Sequence, residues 1–537
     1  MSGLFEKRAD GSTRRNERKM KENKARRKRR TIVISVTSVM LLLFAAALVV
    51  NSNFISRTLP AISIGGHSFT AAEFDYFFNN AYQEYASWVQ ENVGDDEDYA
   101  KSLLPSTELP LSSQIHNAET GETWSDYFAQ RAITNMSDLL LFYNAAEAAG
   151  FEIPPEGIMQ IEDAVSSIME EARNYVQNYP QQYSSPDGYL RAMFGTPLNE
   201  RGLRDIMMFV QRAVTYGESM RNSFTFNQQE LEDYYLANRD SLDVFSFRVL
   251  FIEPDYSDSE YYDSEDVYNA DEDALEQASA RAKEIAQGIE TEEDFIAAAL
   301  DYNADVYVSA ASTRVDQMGE ELDPDFAAWL MGEEPLAYGD ITTIDYPYGT
   351  AIVYFISRSD NNYFTATMRQ VLFLRDELSA DSFAGGVDDP EYLALLEDLD
   401  IEASNRAQEV FSLFALGDAS EARFLEMVDL YSDDNIEGGF YDGIAKYMFQ
   451  GQSSYTLRVV EEIERWLFEQ DRSYGDFELI RSEAYGYHLV YFSGHGERMR
   501  DIVAADRLSS VTFIEWSDSL PPVGEVEKHW AFMFTMV

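Results

Sequence analysis

The sequence predicts an α+β protein: an N-terminal apolar span, a helical domain, and two consecutive modules of mixed strand and helix. Three observations carry that prediction. An uncharged stretch of twenty residues stands at 31–50. Apolar residues recur at helical spacing between 60 and 245. From residue 246 onward, one series of strand and helix patterns occurs twice in the same order.

The charge distribution comes first, because it excludes whole classes. The 537 residues carry a net charge of -54, yet residues 1–30 hold thirteen Lys and Arg against four acids, a net +9. The rest of the chain therefore carries -63. A body so acidic repels phosphate backbones, so no nucleic-acid partner is expected. The basic tail precedes Thr31–Val50, long enough at 1.5 Å per residue to cross roughly 30 Å of hydrocarbon. Basic residues before the span predict a single-pass membrane protein with a cytoplasmic tail (1–30), an anchor (31–50) and an extracytoplasmic remainder. A cleavable signal is the competing reading, with Ala45–Ala47 as its small-residue site. That triplet lies inside the apolar run, and the basic region is long for a signal. The chain has no cysteine. Lipid anchoring through cysteine, disulfides, a thiol nucleophile and cysteine-bound zinc are all excluded.

The segment 60–245 opens on a short strand and a turn at Gly65-Gly66. Thr70 with Glu73 has the form of a capping box, and Phe74, Phe77, Phe78, Ala81 and Tyr82 share one helix face. Further helices follow over 122–156, 157–179 and 199–220, and QELEDYYLANRD leads into SFRVLF. TAAEF, TWSDYF…YNAAEAAGF and this last helix, in this order, resemble the N-terminal domain of the SurA, PrsA and PpiD group of exported chaperone-foldases. The resemblance implies a surface that binds unfolded polypeptides.

The repeat covers 246–360 and 366–497, leaving 498–537 as a C-terminal helical segment. SFRVLFIEP (246–254) is matched with MRQVLFLRD (368–376), and Trp329, Gly339-Asp340 and Tyr348-Gly349 with Trp466, Gly475-Asp476 and Tyr485-Gly486. The acidic loop 257–274 lacks the spaced ligands and distal Glu of a calcium loop, so it reads as solvated chain. His67, His116, His495 and His529 show no metal-ligand spacing, and no cofactor is expected.

In the second copy, YSDDNIEGGFYDG, EEIERWLFEQ, SYGD and YGYHLVYF resemble the second half of a parvulin, the small α/β domain of one class of peptidyl-prolyl isomerases. The resemblance implies a first His on the first strand, a Cys or Asp after the first helix, and a hydroxyl shortly before a second His on the last strand. Asp434 matches the Cys/Asp position and His488 the last-strand His, with Gln370 in place of the first His and Glu483 in place of the usual Thr. Asp434, His488 and Gln370 are the candidate catalytic residues. Ile463, Trp466 and Phe468 are candidates for the proline-binding wall. In the first copy, Arg248 and Ala351 take the two His positions and the Gly-Gly loop is absent, so a parvulin-shaped module without catalytic capacity is expected. The whole chain reads as a folding factor for unfolded or proline-containing exported polypeptides. The alternatives are a non-catalytic holdase chaperone and a surface scaffold or adhesin.

Overall fold

The structure, a computed structural model, describes residues 53–93, 97–254, 272–302, 314–383, 386–446 and 459–535, together with Met40. Met40 apart, the expected anchor at 31–50 lies outside the described residues, as do the basic tail and most of the acidic loop. Among the described residues no helix is long and apolar enough to cross a membrane. Helices and antiparallel sheets are both abundant, so the architecture is α+β. The chain forms two compact units, one from residues up to 224 with 512–537 and the other from 225–511.

The first unit opens on the hairpin of β1 (Pro60–Ile64) and β2 (His67–Thr70). Its turn takes Gly65 at φ 56° and Gly66 at φ 90°, a left-handed pair that favours glycine at both places. Thr70 and Glu73 cap each other at the start of α1 (Ala71–Val93), with Thr70 N–H donating to Glu73 Oε2 at 2.7 Å and Glu73 N–H to Thr70 Oγ1 at 3.3 Å. The expected face of Phe74, Phe77, Phe78 and Ala81 is buried against Phe128, Ala132, Met136 and Leu140 of α2 (Trp124–Ala148). Gly150 at φ 65° ends that helix region, and Pro155 supplies the first residue of α3 (Pro155–Asn178). Next come α4 (Pro186–Phe194) and α5 (Glu200–Ser223), the latter capped by Asn199.

The expected C-terminal segment 498–537 is divided between the units. A short strand, Val526–Lys528, pairs antiparallel with β1 (Ile62 opposite Lys528) and completes a three-stranded sheet. Ser63 Oγ and His529 Nε2 meet at 2.6 Å although they are 466 residues apart.

The second unit starts with α6 (Gln228–Ala237), which falls outside the helical domain although its sequence position at 60–245 predicts it inside. Tyr235 and Leu242 pack instead with Val244, Met318, Met499 and Val503 of this unit. Two four-stranded antiparallel sheets follow. The first comprises β3 (Val244–Ile252), β4 (Val315–Met318), β5 (Ile341–Tyr346) and β6 (Gly349–Ser359), in the order β4-β3-β6-β5. Its helices are α7 (Glu272–Gln287), α8 (Glu292–Tyr302) and α9 (Pro324–Leu330). The second comprises β7 (Phe364–Leu374), β8 (Phe440–Ile444), β9 (Phe477–Ser482) and β10 (Gly486–Arg498), in the order β8-β7-β10-β9. Its helices are α10 (Pro390–Ala415), α11 (Glu421–Tyr431) and α12 (Glu461–Phe468). Counted within each module, the spatial order is 2-1-4-3 both times.

The likeness reaches individual bonds. In the first module Gly339 N–H donates to Phe355 O and Phe355 N–H to Asp340 O, and in the second Gly475 and Phe492 repeat the pattern with Asp476. Arg248 pairs with Glu292 at 2.9 Å while Tyr338 donates to the same carboxylate at 3.1 Å. Arg369, Glu421 and Tyr474 repeat that triad at 2.6 and 2.7 Å. Sheet register corrects the matching of the first strands by one residue. Val249 stands opposite Val353 as Gln370 stands opposite Val490, so Arg248 is equivalent to Arg369 and Val249 to Gln370.

Candidate functional site

The site is built on one face of the second module's sheet. Side chains alternate along β7 and β10. Val371, Phe373, Leu489 and Tyr491 face α10 and α11, where they pack on Val410, Phe414 and Phe424. Ala366, Met368, Val490 and Phe492 face α12, where they pack on Ile463, Trp466 and Leu467. Gln370 and His488 are the next residues along this second face. They are diagonal neighbours, Gln370 opposite Val490 and His488 opposite Leu372, and both are buried, 6% and 3% exposed.

Asp434 reaches them from the turn after α11. β8 pairs with β7 only as far as Arg369, and the Ser432-Asp433-Asp434 turn takes over the free edge beyond it. Ser432 Oγ accepts Leu372 N–H at 3.1 Å, Asp433 N–H donates to Leu372 O at 2.8 Å, and Asp433 Oδ2 accepts Leu374 N–H at 2.9 Å. A turn residue whose short side chain can mimic a strand is what this edge requires. The Gly438-Gly439 loop then brings the chain back into β8. Gly439 lies at φ 56°, and a Cβ there would stand 2.2 Å from the Gln370 carbonyl oxygen. Only glycine permits that approach.

These elements assemble one continuous hydrogen-bonded chain. Gln370 Nε2 donates to Asp434 Oδ2 at 2.8 Å and to Tyr441 Oη at 2.6 Å, and Tyr441 donates its own proton to Asp434 Oδ2. Gln370 Oε1 meets His488 Nδ1 at 3.1 Å, and Ser482 Oγ meets His488 Nε2 at 2.7 Å. The roles are forced from the carboxylate end, because Asp434 only accepts. The Gln370 amide must point its NH2 toward Asp434, so its oxygen faces His488 and Nδ1 carries the imidazole proton. Ser482 then donates to Nε2. Every donor in the chain points toward Asp434.

Electrostatics follow from burial and from those bonds. Burial pushes His488 down to about 4, against the opposing pull of the Glu462 and Asp434 carboxylates, so the ring is neutral at pH 7. Burial raises Asp434, but the bonds from Tyr441 and Gln370 outweigh it and hold the carboxyl below its usual range. Tyr441 is pushed well up, by burial and then by its bond to Asp434. Among the described residues no group of three or more carboxylates and imidazoles could hold a metal ion.

The structure thus brings Gln370, Asp434 and His488 together. Of the three expected wall residues, two are closed off from solvent. Ile463 and Trp466 are core residues, 1% and 6% exposed, that fasten α12 to the sheet. Phe468 lines a separate cavity of about 260 Å3 with Tyr363, Lys446 and His495. The hydroxyl beside His488 belongs to Ser482 and not to position 483. Two members, Tyr441 and Ser482, were missed. Their only sequence signals are a Tyr two residues after a Gly-Gly loop, and a Ser four residues before Gly486. In the first module the equivalent positions are Val249 and Ala351, both apolar, and Ala351 packs in the core with Val353 and Phe355.

A class can be stated from this alone: a two-unit α+β chain whose second unit holds a duplicated antiparallel module, with one copy bearing a buried polar network. No family model and no curated protein matches the chain. Among solved structures it is similar to the peptidylprolyl isomerase PrsA of Bacillus anthracis, at 12% identity over 51% of this chain and 97% of that one, with a TM-score of 0.21.

Proposed function

We propose that the chain is a folding factor held at the cell membrane by residues 31–50, with 1–30 cytoplasmic and the remainder outside, and that its second parvulin-like module (366–497) isomerises Xaa–Pro bonds in exported polypeptides. One observation carries the reading: the chain Ser482–His488–Gln370–Asp434–Tyr441 is complete, although Gln replaces the first histidine. A glutamine amide donates and accepts at once, so it joins Asp434 to His488 as a neutral imidazole would.

The chemistry needs no covalent step. Rotation about a peptide bond meets a barrier of roughly 18–20 kcal/mol because resonance puts positive character on nitrogen and negative character on oxygen. An ionised Asp434 beside the prolyl carbonyl would oppose that charge separation and weaken the double-bond character of the C–N bond. Ser482, His488 and Gln370 would keep the carboxylate fixed, so that no reorganisation is needed in the twisted state. Tyr485 and Ile436, exposed beside the network, would cover the proline ring. The test is NMR exchange spectroscopy on proline peptides with the full chain. Acceleration that Asp434→Ala and His488→Ala each abolish supports the reading; no acceleration on any proline peptide ends it.

A second reading, a non-catalytic holdase, is favoured by the first module. With Val249 and Ala351 at the two site positions, that fold is kept without the network. It predicts suppression of client aggregation that survives Asp434→Ala and His488→Ala together.

A further inference from the structure

The first unit holds an open cavity of about 530 Å3, within the size range of small-molecule and side-chain sites. It lies between β2, the start of α1, the last turns of α2, the turn at Glu152-Ile153, the first turn of α3 and the first half of α5. Its wall is aromatic. The His67 ring centroid stands 4.8 Å from Phe69, 5.6 Å from Tyr143 and 5.6 Å from Phe209, and Phe77 and Ile206 add apolar surface. Among the described residues the His67 ring nitrogens make no hydrogen bond, and the ring is only half-buried. It offers one donor and one acceptor to whatever enters.

The charges around the cavity are one-sided. Glu73, Glu152 and Asp205 line it against a single cation, Arg212. That guanidinium is committed elsewhere. It pairs with Glu147 at 3.2 Å, donates to Phe151 O at 2.8 Å and lies 5.3 Å from the Tyr143 ring centre. Asp205 has Arg201 for a partner at 3.5 Å, both groups largely exposed. With Glu147 and Arg201 counted, the formal charge remains -2. Aromatic faces beside carboxylates attract cations and apolar groups together.

We infer that this cavity is a peptide-binding site, and that it takes an extended segment with one large apolar side chain flanked by lysine or arginine. The side chain packs on Tyr143, Ile158, Met208 and Phe209, the apolar lining residues that are not fully buried. The flanking cations lie against Glu152 and Asp205, and His67 bonds the segment's backbone. This deepens the chaperone reading by naming the client sequences, and it is independent of the isomerase site.

The probe is a fluorescein-labelled, proline-free peptide with the core Lys-Phe-Lys, compared with its Glu-Phe-Glu counterpart. Binding to the full chain is read by fluorescence anisotropy at low ionic strength. We expect the lysine peptide to bind at least about tenfold more tightly, and the double variant Glu152→Lys, Asp205→Lys to remove that preference, as reversal of two exposed charges should. His67→Phe keeps the ring and should weaken both peptides about fivefold, near the worth of one hydrogen bond. Both changed acids are exposed, so the double variant keeps its fold, and circular dichroism checks that. Equal affinity for the two peptides overturns the proposal. So does an unchanged preference in the double variant, or a wild-type self-association by sedimentation that the double variant abolishes, which would make this face an interface between copies. Since the probe has no proline, loss of isomerase activity in Asp434→Ala leaves every one of these results interpretable.

Discussion

Gln370 Oε1 accepts from His488 Nδ1 at 3.1 Å across neighbouring strands. This bond joins two halves of the network that the sequence separates by 118 residues. Gln370 can serve it only because its other end is spent on Asp434 and Tyr441. Gln370→Leu keeps much of the volume and strands both sides. It should cost about 1–3 kcal/mol of stability, the usual price of leaving buried polar groups unpaired, and should lower the isomerisation rate. Urea unfolding and NMR exchange measure the two effects.

His488 should dominate the acid sensitivity of the second module. Its folded value of about 4 lies below the ordinary 6.5, so the group favours folding only while neutral. The contribution is complete above about pH 6.5 and is lost as pH falls toward 4, by up to about 3 kcal/mol. Asp434 acts with the same sign at lower pH, because its depressed value makes the carboxylate the stabilising form. Chemical denaturation between pH 7 and pH 4 should show the fall, and His488→Phe should flatten it.

The two glycines of the loop should separate cleanly. Gly439→Ala drives a Cβ onto the Gln370 carbonyl at 2.2 Å, displaces β8 and breaks the Tyr441–Asp434 bond. At Gly438 the nearest atom is the Arg369 side chain at 3.0 Å, which can move. Gly438→Ala should cost only about 1 kcal/mol for its left-handed backbone, whereas Gly439→Ala should also remove activity. Thermal unfolding and the exchange assay, run on both variants, decide this.

The repeated triads allow an internal control. Glu292→Gln and Glu421→Gln each remove the charge that holds an arginine and a tyrosine, one in each module. Each should destabilise its own module by roughly 1–3 kcal/mol, since the pairs are largely shielded from solvent. Hydrogen exchange should localise the loss to β3 and β6 in the first case and to β7 and β10 in the second. A loss in one module only would mean the triads are not equivalent.

Much of this was legible in the sequence because it is local. The Thr70–Glu73 cap, the Phe74 face and the Gly-Gly turns depend on residues a few positions apart. What failed depended on register or on direction. FRVLF and RQVLF align best on their shared VLF, and only the strand partners show that Arg248 matches Arg369 instead. Helical spacing marked Ile463 and Trp466 as one apolar face, but spacing cannot say whether that face meets a core or a cleft. α10 begins at Pro390 because Asp389 caps it and Pro390 suits its first turn. Tyr441 and Ser482 were hidden because each acts through a partner far along the chain.

The third strand of the three-stranded sheet has a bearing on how the molecule comes into being. Val526–Lys528 closes a structure whose other parts lie before residue 225, so the second unit is spliced into the first. During synthesis, β1 must wait with one edge bare until residues 526–528 have emerged. The inserted unit can be finished by then. The first unit is therefore the last part to mature, and an interrupted chain would leave it incomplete.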